Sequence, residues 1–405
     1  MATPWQSTTV KDIHGIGHGY QAPSPAPVPA TFKVPAPQTS LSFTAAQLQG
    51  SMAIAMVLSH AGTTRSASVG ANTADFLADF IDDLPPIDLE MVKDVEVLSD
   101  VGRTFLSSLF GAAIADQYML ALGYRYRCNS REVIAAGVAG DYLYDGLSAV
   151  NSYVVMAEAK GSIVSSGRKV LIAGTVRRGY RRQVEPHVGQ SYPIKVGSID
   201  VVHGYCVGAG AAAGGGAAVG HVEETGIPVV AATPSQGAGL PGAGDPQRSS
   251  HLSVALQNFA GVTALVNSPT NSESLKQYVA TGEPVQLIRR EFSEITYRGE
   301  QFLAPLDERQ HYGYALWAPI FDRLREITID PLDKGDRVAL FPVPPEELTM
   351  GGEDGGAVLP DGLAVLPKHF YQNRSGPEPE RRFKLKFAKS FDYAMKYVKR
   401  GFDQV

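Results

Sequence analysis

Glu158 and Lys160 place a carboxylate and an ammonium two residues apart, at the end of the apolar run Tyr153-Val154-Val155-Met156-Ala157. Side chains at i and i+2 of a strand share one face. An extended segment would therefore present both together and turn Ala159 inward. Asp141 lies seventeen positions before Glu158, a separation that one hairpin closes. Two carboxylates and a lysine on one sheet face suit a hard divalent cation, Mg²⁺ or Mn²⁺, and the water it activates. The Ala159 carbonyl is a further hard oxygen. The same residues also read as a partly exposed ion pair at a strand end and an aspartate capping a turn.

An acid, a spacer and then acid-x-lysine at the end of an apolar strand resembles the signature of the PD-(D/E)xK nuclease superfamily. Gly140-Asp141-Tyr142-Leu143 stands where that group usually has Pro-Asp, and Glu158-Ala159-Lys160-Gly161 is similar to its second half. The resemblance covers roughly residues 103–190 and departs from the pattern at Gly140, which is not a ligand position. It implies an α/β, restriction-endonuclease-like core, with a central mixed sheet flanked by helices. It also implies a Mg²⁺-dependent endonuclease, a hydrolase cutting phosphodiester bonds of nucleic acid, DNA before RNA. Asp141 and Glu158 would hold the metal with the Ala159 carbonyl, and Lys160 would act on the water. Gln183 is a candidate to orient Lys160 or that water. Proteins of this kind serve in phage defence (antiviral defence), restriction or repair, and many work as homo-oligomers. A non-catalytic descendant of the fold, used as a nucleic-acid-binding or scaffold module, is the alternative.

The elements that must position these groups follow from periodicity. Phe105, Leu106, Leu109, Phe110, Ala113, Ile114 and Met119 form the apolar face of a helix within 91–123, which Gly123 ends. Asp116 on that helix either reaches the site as an extra carboxylate or faces solvent. Residues 138–175 read as strand, hairpin, strand and strand, with Ser165-Ser166-Gly167 as the second turn. Arg177, Arg178, Arg181 and Arg182 then crowd one short stretch. Beside an acidic metal site they are candidates to bind phosphates of a nucleic acid. Elsewhere such a cluster is a solvated face.

The composition narrows the classes. The 405 residues carry 36 Lys and Arg against 41 Asp and Glu, a net charge of −5. Any nucleic-acid role must therefore rest on local patches. Two cysteines, Cys128 and Cys206, are too few for a disulfide framework or a Cys-based zinc site. No GxSxG, HExxH or GxxxxGK[ST] pattern occurs. His203 near Cys206 reads as a strand residue rather than half of a ligand pair. The beginning of the chain lacks the basic and apolar regions of a secretory signal, and no apolar run is long enough to span a bilayer. A cytoplasmic protein with no membrane partner is expected.

Five regions are expected. Residues 1–40 form a Pro-rich arm, either a docking segment for a protein partner or a strap on the surface. Residues 41–94 form a helical segment with patterns at 44–58 and 72–84. Residues 95–235 form the nuclease-like core, residues 236–250 a linker, and residues 251–405 a mainly helical region. Helices are expected at 251–266, 273–279 and 317–327, and an extended piece at 284–289. The basic tail interleaves lysines with aromatic residues from Lys384 to Arg400. It would either clamp nucleic acid or pack its rings on the body. Within the core, 199–207 and 227–232 read as strands, and 208–220 as a loose turn or two strands poor in side chains. The tract Gly208-Ala209-Gly210-Ala211-Ala212-Ala213-Gly214 also resembles a GxGxxxG turn. That supports a second alternative, a dinucleotide-binding protein. Against it, Gly214-Gly215-Gly216 is poor for a helix.

Overall fold

In the computed structural model of the chain, the apolar run ending in Glu158-Ala159-Lys160 becomes the strand Val154–Val164, inside a mixed seven-stranded sheet. The structure describes residues 5, 8–23, 32–59, 79–81, 83, 87–134, 137–145, 154–195, 197–226, 246–305, 313–332, 341–349 and 354–366. These all belong to one compact unit.

In chain order the elements are β1 (Val10–Ile13), β2 (Gly17–Gln21), β3 (Leu41–Thr44), α1 (Ala45–Ser59), α2 (Asp100–Ala121), β4 (Tyr126–Asn129), β5 (Tyr142–Asp145), β6 (Val154–Val164), α3 (Ala173–Gly179), β7 (Ser191–Pro193), β8 (Ser198–Ala212) and β9 (Val219–Thr225). They continue as α4 (Pro246–Leu265), α5 (Pro269–Thr281), β10 (Phe292–Tyr297), β11 (Glu300–Pro305), β12 (Tyr314–Trp317), α6 (Ala318–Thr328), α7 (Glu346–Thr349), β13 (Ala357–Val358) and β14 (Leu363–Val365). The main sheet runs β2-β9-β8-β6-β5-β4, with β7 added beside β8. The β2–β9 and β6–β8 pairs are parallel, and the other pairs in the row are antiparallel. The chain is thus α/β, with a mixed sheet flanked by helices.

Helix α2 lies on one face of β6 and the α3 segment on the other. Gly111 and Gly161 permit the first contact. A Cβ on Gly161 would stand 1.6 Å from the Ser107 carbonyl oxygen, and one on Gly111 would stand 2.5 Å from the Gly161 nitrogen. Backbone meets backbone there, so no larger residue fits. Ser99 caps the start of α2, accepting from the Gly102 amide, and Gly123 ends the helix region at φ +90. The α3 segment continues as a π-turn over Tyr180–Val184 and a 3₁₀ turn over Glu185–His187. Its seat on β8 is the glycine-rich stretch: a Cβ on Gly204 would come 2.2 Å from Val184, and one on Gly208 2.2 Å from Val176.

That observation corrects the dinucleotide reading. Gly208 to Ala212 is strand, the next turn carries Gly214, Gly215 and Gly216 at positive φ, and β9 returns antiparallel. A dinucleotide turn needs a helix after the strand; here a hairpin follows. The glycines provide close helix-on-sheet packing.

Other expectations change too. The third strand foreseen after Gly167 is absent, and residues 168–172 run irregularly into α3. The Pro-rich arm is not wholly irregular, because β2 joins the main sheet at its edge. The region from 251 is mainly helical only as far as Thr281. Beyond it an antiparallel sheet, β10-β11-β12-β14-β13, forms beside α6. The piece at 284–289 is not a strand; the strands begin at Phe292. Their hairpin turns through Arg298 (φ 49) and Gly299 (φ 83), the two positive φ values of a type I′ turn. Arginine is unusual there, and Asp354 holds its guanidinium at 2.8 and 3.2 Å. Of the helix expected over 72–84, residues 79–81 are a turn and a bridge from Ile81 to Met91, and of the linker expected over 236–250, residues 246–250 open α4; residues 72–78, 227–232, 236–245 and the basic tail lie outside the described residues.

Candidate active site

The antiparallel pairing of β5 with β6 sets Tyr142 opposite Ala157, so Asp141 arrives beside the end of the apolar run. Its Oδ2 accepts from the Ala159 amide at 3.0 Å. A strand residue directs its N–H and C=O to the same edge, so the Ala159 carbonyl also faces the Asp141 side. Gly140 suits the close approach, because a Cβ there would meet Met156 Cγ at 2.9 Å and the Ala157 oxygen at 3.0 Å.

Glu158 and Lys160 lie on the face covered by the α3 segment. Lys160 Nζ contacts Glu158 Oε1 and donates to Gln183 Oε1 at 2.8 Å. Gln183 sits within the π-turn, a distortion frequent at functional sites. Glu158 is 1% exposed, and its Oε2 is buried with no hydrogen-bond partner. Burial, and next the charge of Asp141, push the Glu158 carboxyl up to about 8, against the pull of Lys160. Burial draws the Lys160 ammonium down, yet Glu158 outweighs this and holds it above its ordinary value. The Cys206 thiol, opposite Glu158 on β8, is pushed up by burial and by Glu158.

The structure therefore brings Asp141, Glu158, Ala159, Lys160 and Gln183 together. The donor set fits a hard divalent cation: two carboxylates, one with an orphaned buried oxygen, and a backbone carbonyl on the same side. Among the described residues no group of three or more His, Cys, Asp or Glu gathers as a metal site. Water and a substrate phosphate would complete the coordination.

No protein-family model, no curated protein and no solved structure matches the chain.

The four arginines divide. Arg177 Nε donates to Glu223 Oε1 at 3.1 Å, and Arg181 Nε to Gln21 Oε1 at 3.2 Å. Arg178 and Arg182 are exposed. Asp116 is neither at the site nor in solvent. It is 1% exposed, paired with Arg127 Nε at 2.9 Å and accepting from Tyr144 at 2.9 Å. Arg127 also reaches Asp361 at 3.2 Å, and Asn258 donates to the same carboxylate at 3.0 Å. This buried group ties α2 and β4 to α4 and the turn before β14. His203 faces away from Cys206, with Glu224 at 3.6 Å, and burial lowers its pKa.

Sequence reasoning missed Glu223, His221 and Gln21. The carboxylate of Glu223 is fully buried and accepts from Arg177, from His221 Nε2 at 3.0 Å and from Gln21 Nε2. Burial pushes its carboxyl up, but the bonds from His221 and Gln21 and the charge of Arg177 prevail and leave it below its ordinary value. The available signal was the alternation His221-Val222-Glu223, the same i, i+2 spacing that singled out Glu158 and Lys160.

Proposed function

We propose that this chain is a metal-dependent nuclease that hydrolyses phosphodiester bonds of nucleic acid, DNA before RNA, on a restriction-endonuclease-like core. The observation that carries the reading is the convergence of Asp141, Glu158 and Lys160 at the end of β6, with Glu158 Oε2 buried and unpartnered. A buried orphaned acceptor beside a second carboxylate is unfavourable unless a cation or proton completes it.

When bound, Mg²⁺ or Mn²⁺ would polarise a scissile phosphate and acidify a coordinated water. Asp141, Glu158 and the Ala159 carbonyl would hold it. Glu158 must first lose its proton, which becomes easy only as pH nears 8 or as a cation draws it off. Lys160, fixed between Glu158 and Gln183, orients the attacking water and offsets charge building on phosphorus. Gln183 holds the ammonium in place through its carbonyl oxygen. Among the described residues no helix is long and apolar enough to cross a membrane.

The test is plasmid cleavage with Mg²⁺ or Mn²⁺ by the full chain, set beside Glu158→Ala and Lys160→Ala. Metal-dependent cutting that both substitutions abolish is the expected result. Tight DNA binding without cutting, unchanged by either substitution, would overturn it in favour of a non-catalytic nucleic-acid-binding module.

A further inference from the structure

Arg177 and Arg181 occupy neighbouring positions four apart, where the α3 segment passes into its π-turn. Side chains so spaced on a helix stand about 5–6 Å apart at Cβ, and like charges there repel. Each guanidinium is nevertheless tethered by the same atom. Nε of Arg177 donates to Glu223, Nε of Arg181 donates to Gln21, and Gln21 donates in turn to Glu223. Nε is only one of five N–H donors on a guanidinium. Among the described residues the terminal nitrogens of both side chains have no partner, and both side chains are exposed, Arg177 by 52%. Two forks are thus fixed at the base and left open at the tip, the arrangement that suits bidentate contact with phosphate.

The tethers come from elements distant in sequence. Glu223 lies on β9, and Gln21 ends β2 in the arm. Close approach of β2 makes this possible: a Cβ on Gly19 would stand 2.5 Å from the Glu223 carboxylate. Glu223 and Glu158 both register with Cys206, one strand away on either side. Strand spacing sets them about 10 Å apart, a few nucleotides along a strand.

We infer that Arg177 and Arg181 grip consecutive phosphates of a nucleic-acid strand next to the site of cutting, and that Gln21 and Glu223 are positioning residues that pre-set the two forks. The inference rests on the nuclease reading for its substrate, yet it is tested without catalysis. The edge strand of the arm is then part of the substrate surface.

The experiment is equilibrium binding of the full chain to a short DNA duplex in EDTA, across a salt series. Each of Arg177→Ala and Arg181→Ala should lower the slope of log affinity against log salt by about 1. Gln21→Met keeps both charges and removes the tether. It should leave the slope alone and weaken binding about 2- to 10-fold at fixed salt. Placed in the Arg177→Ala/Arg181→Ala chain it should do nothing further, whereas a merely structural Gln21 would weaken both backgrounds equally. Arg181→Lys, at an exposed side chain, should keep the slope and lose affinity as Gln21→Met does. Slopes unmoved by the alanine substitutions, equal weakening in both backgrounds, or no duplex binding at low salt would each overturn the assignment. Metal-dependent cutting with unmoved slopes sinks this inference alone. Slopes that respond in a chain that never cuts support it while sinking the nuclease reading.

Discussion

Glu158 and Glu223 flank Cys206 from opposite sides, on one face of the sheet, and both side chains are buried. Their surroundings are opposite. Glu158 faces Asp141, keeps one oxygen without a partner and is pushed up to about 8. Glu223 receives Arg177, His221 and Gln21 and is held below its ordinary value. The same scaffold thus carries one carboxylate that is incomplete until a cation or proton arrives, and one that is complete and fixes an arginine. Burial alone does not mark a reactive group; the balance between burial and donors does.

The largest expected effect is on catalysis. Glu158→Gln keeps the shape and removes the charge a cation needs, so Mg²⁺-dependent plasmid nicking should fall on the order of 10²–10³-fold. Glu223→Gln should stay within about tenfold, because it acts through the two arginines and not on the reacting atoms. Initial nicking rates at saturating Mg²⁺ check this, and equal losses would erase the distinction between the two glutamates.

A smaller effect concerns the helix that both carboxylates share. Gly208→Ala would put a methyl 2.2 Å from Val176 Cγ2 and 2.9 Å from Ile172 Cγ1. The α3 segment must lift, at a cost of about 1–3 kcal/mol. Lys160–Gln183 and Arg177–Glu223 should loosen together. Gly174→Ala, in the same helix with nothing within 4 Å, should be neutral or stabilising, since alanine is the better helix former. Urea midpoints of the two variants decide it: similar midpoints would mean that β8 does not seat the helix through its glycines.

The site was more legible than its surroundings for a physical reason. Glu158-Ala159-Lys160 interrupts an apolar strand with two charges at i and i+2, and Asp141 needs only a hairpin to return, so local pattern carries the geometry. Gln183 follows because it lies on the next element. Gln21 and Glu223 stand 202 positions apart, and nothing local in a Pro-rich arm announces an edge strand. Asp116 looked like a surface or site residue because its partner, Arg127, lies on another element and meets it only in the folded core. The strand from Phe292 does alternate over its later residues, with Glu294 and Thr296 exposed against half-buried Ile295 and buried Tyr297. Its turn was hidden because Arg298-Gly299 stands where Asn-Gly usually signals a type I′ hairpin. The glycines of β8 suggested a nucleotide turn because sequence does not distinguish room for a ligand from room for a helix.

The remaining effects are pH-dependent changes in stability, and they carry opposite signs at the two glutamates. The folded pKa of Glu158 lies near 8, above its ordinary 4.5. Its contribution is full below about pH 4.5 and is lost as pH rises through 8, because the folded site resists ionisation. Glu223 is shifted the other way. Its contribution is present above its ordinary 4.5 and is lost as pH falls through the lower folded value. Urea unfolding at acid, neutral and alkaline pH should therefore show wild type weakening towards both ends. Glu158→Gln should flatten the fall between about pH 4.5 and 8. Glu223→Gln should flatten only the acid limb, by less. Added Mg²⁺ should restore wild-type stability at pH 8 by mass action on the ionised site and do little for Glu158→Gln. If the two variants keep the same pH profile, the two glutamates do not differ as their neighbours require, and the cation site at the end of β6 loses its electrostatic support.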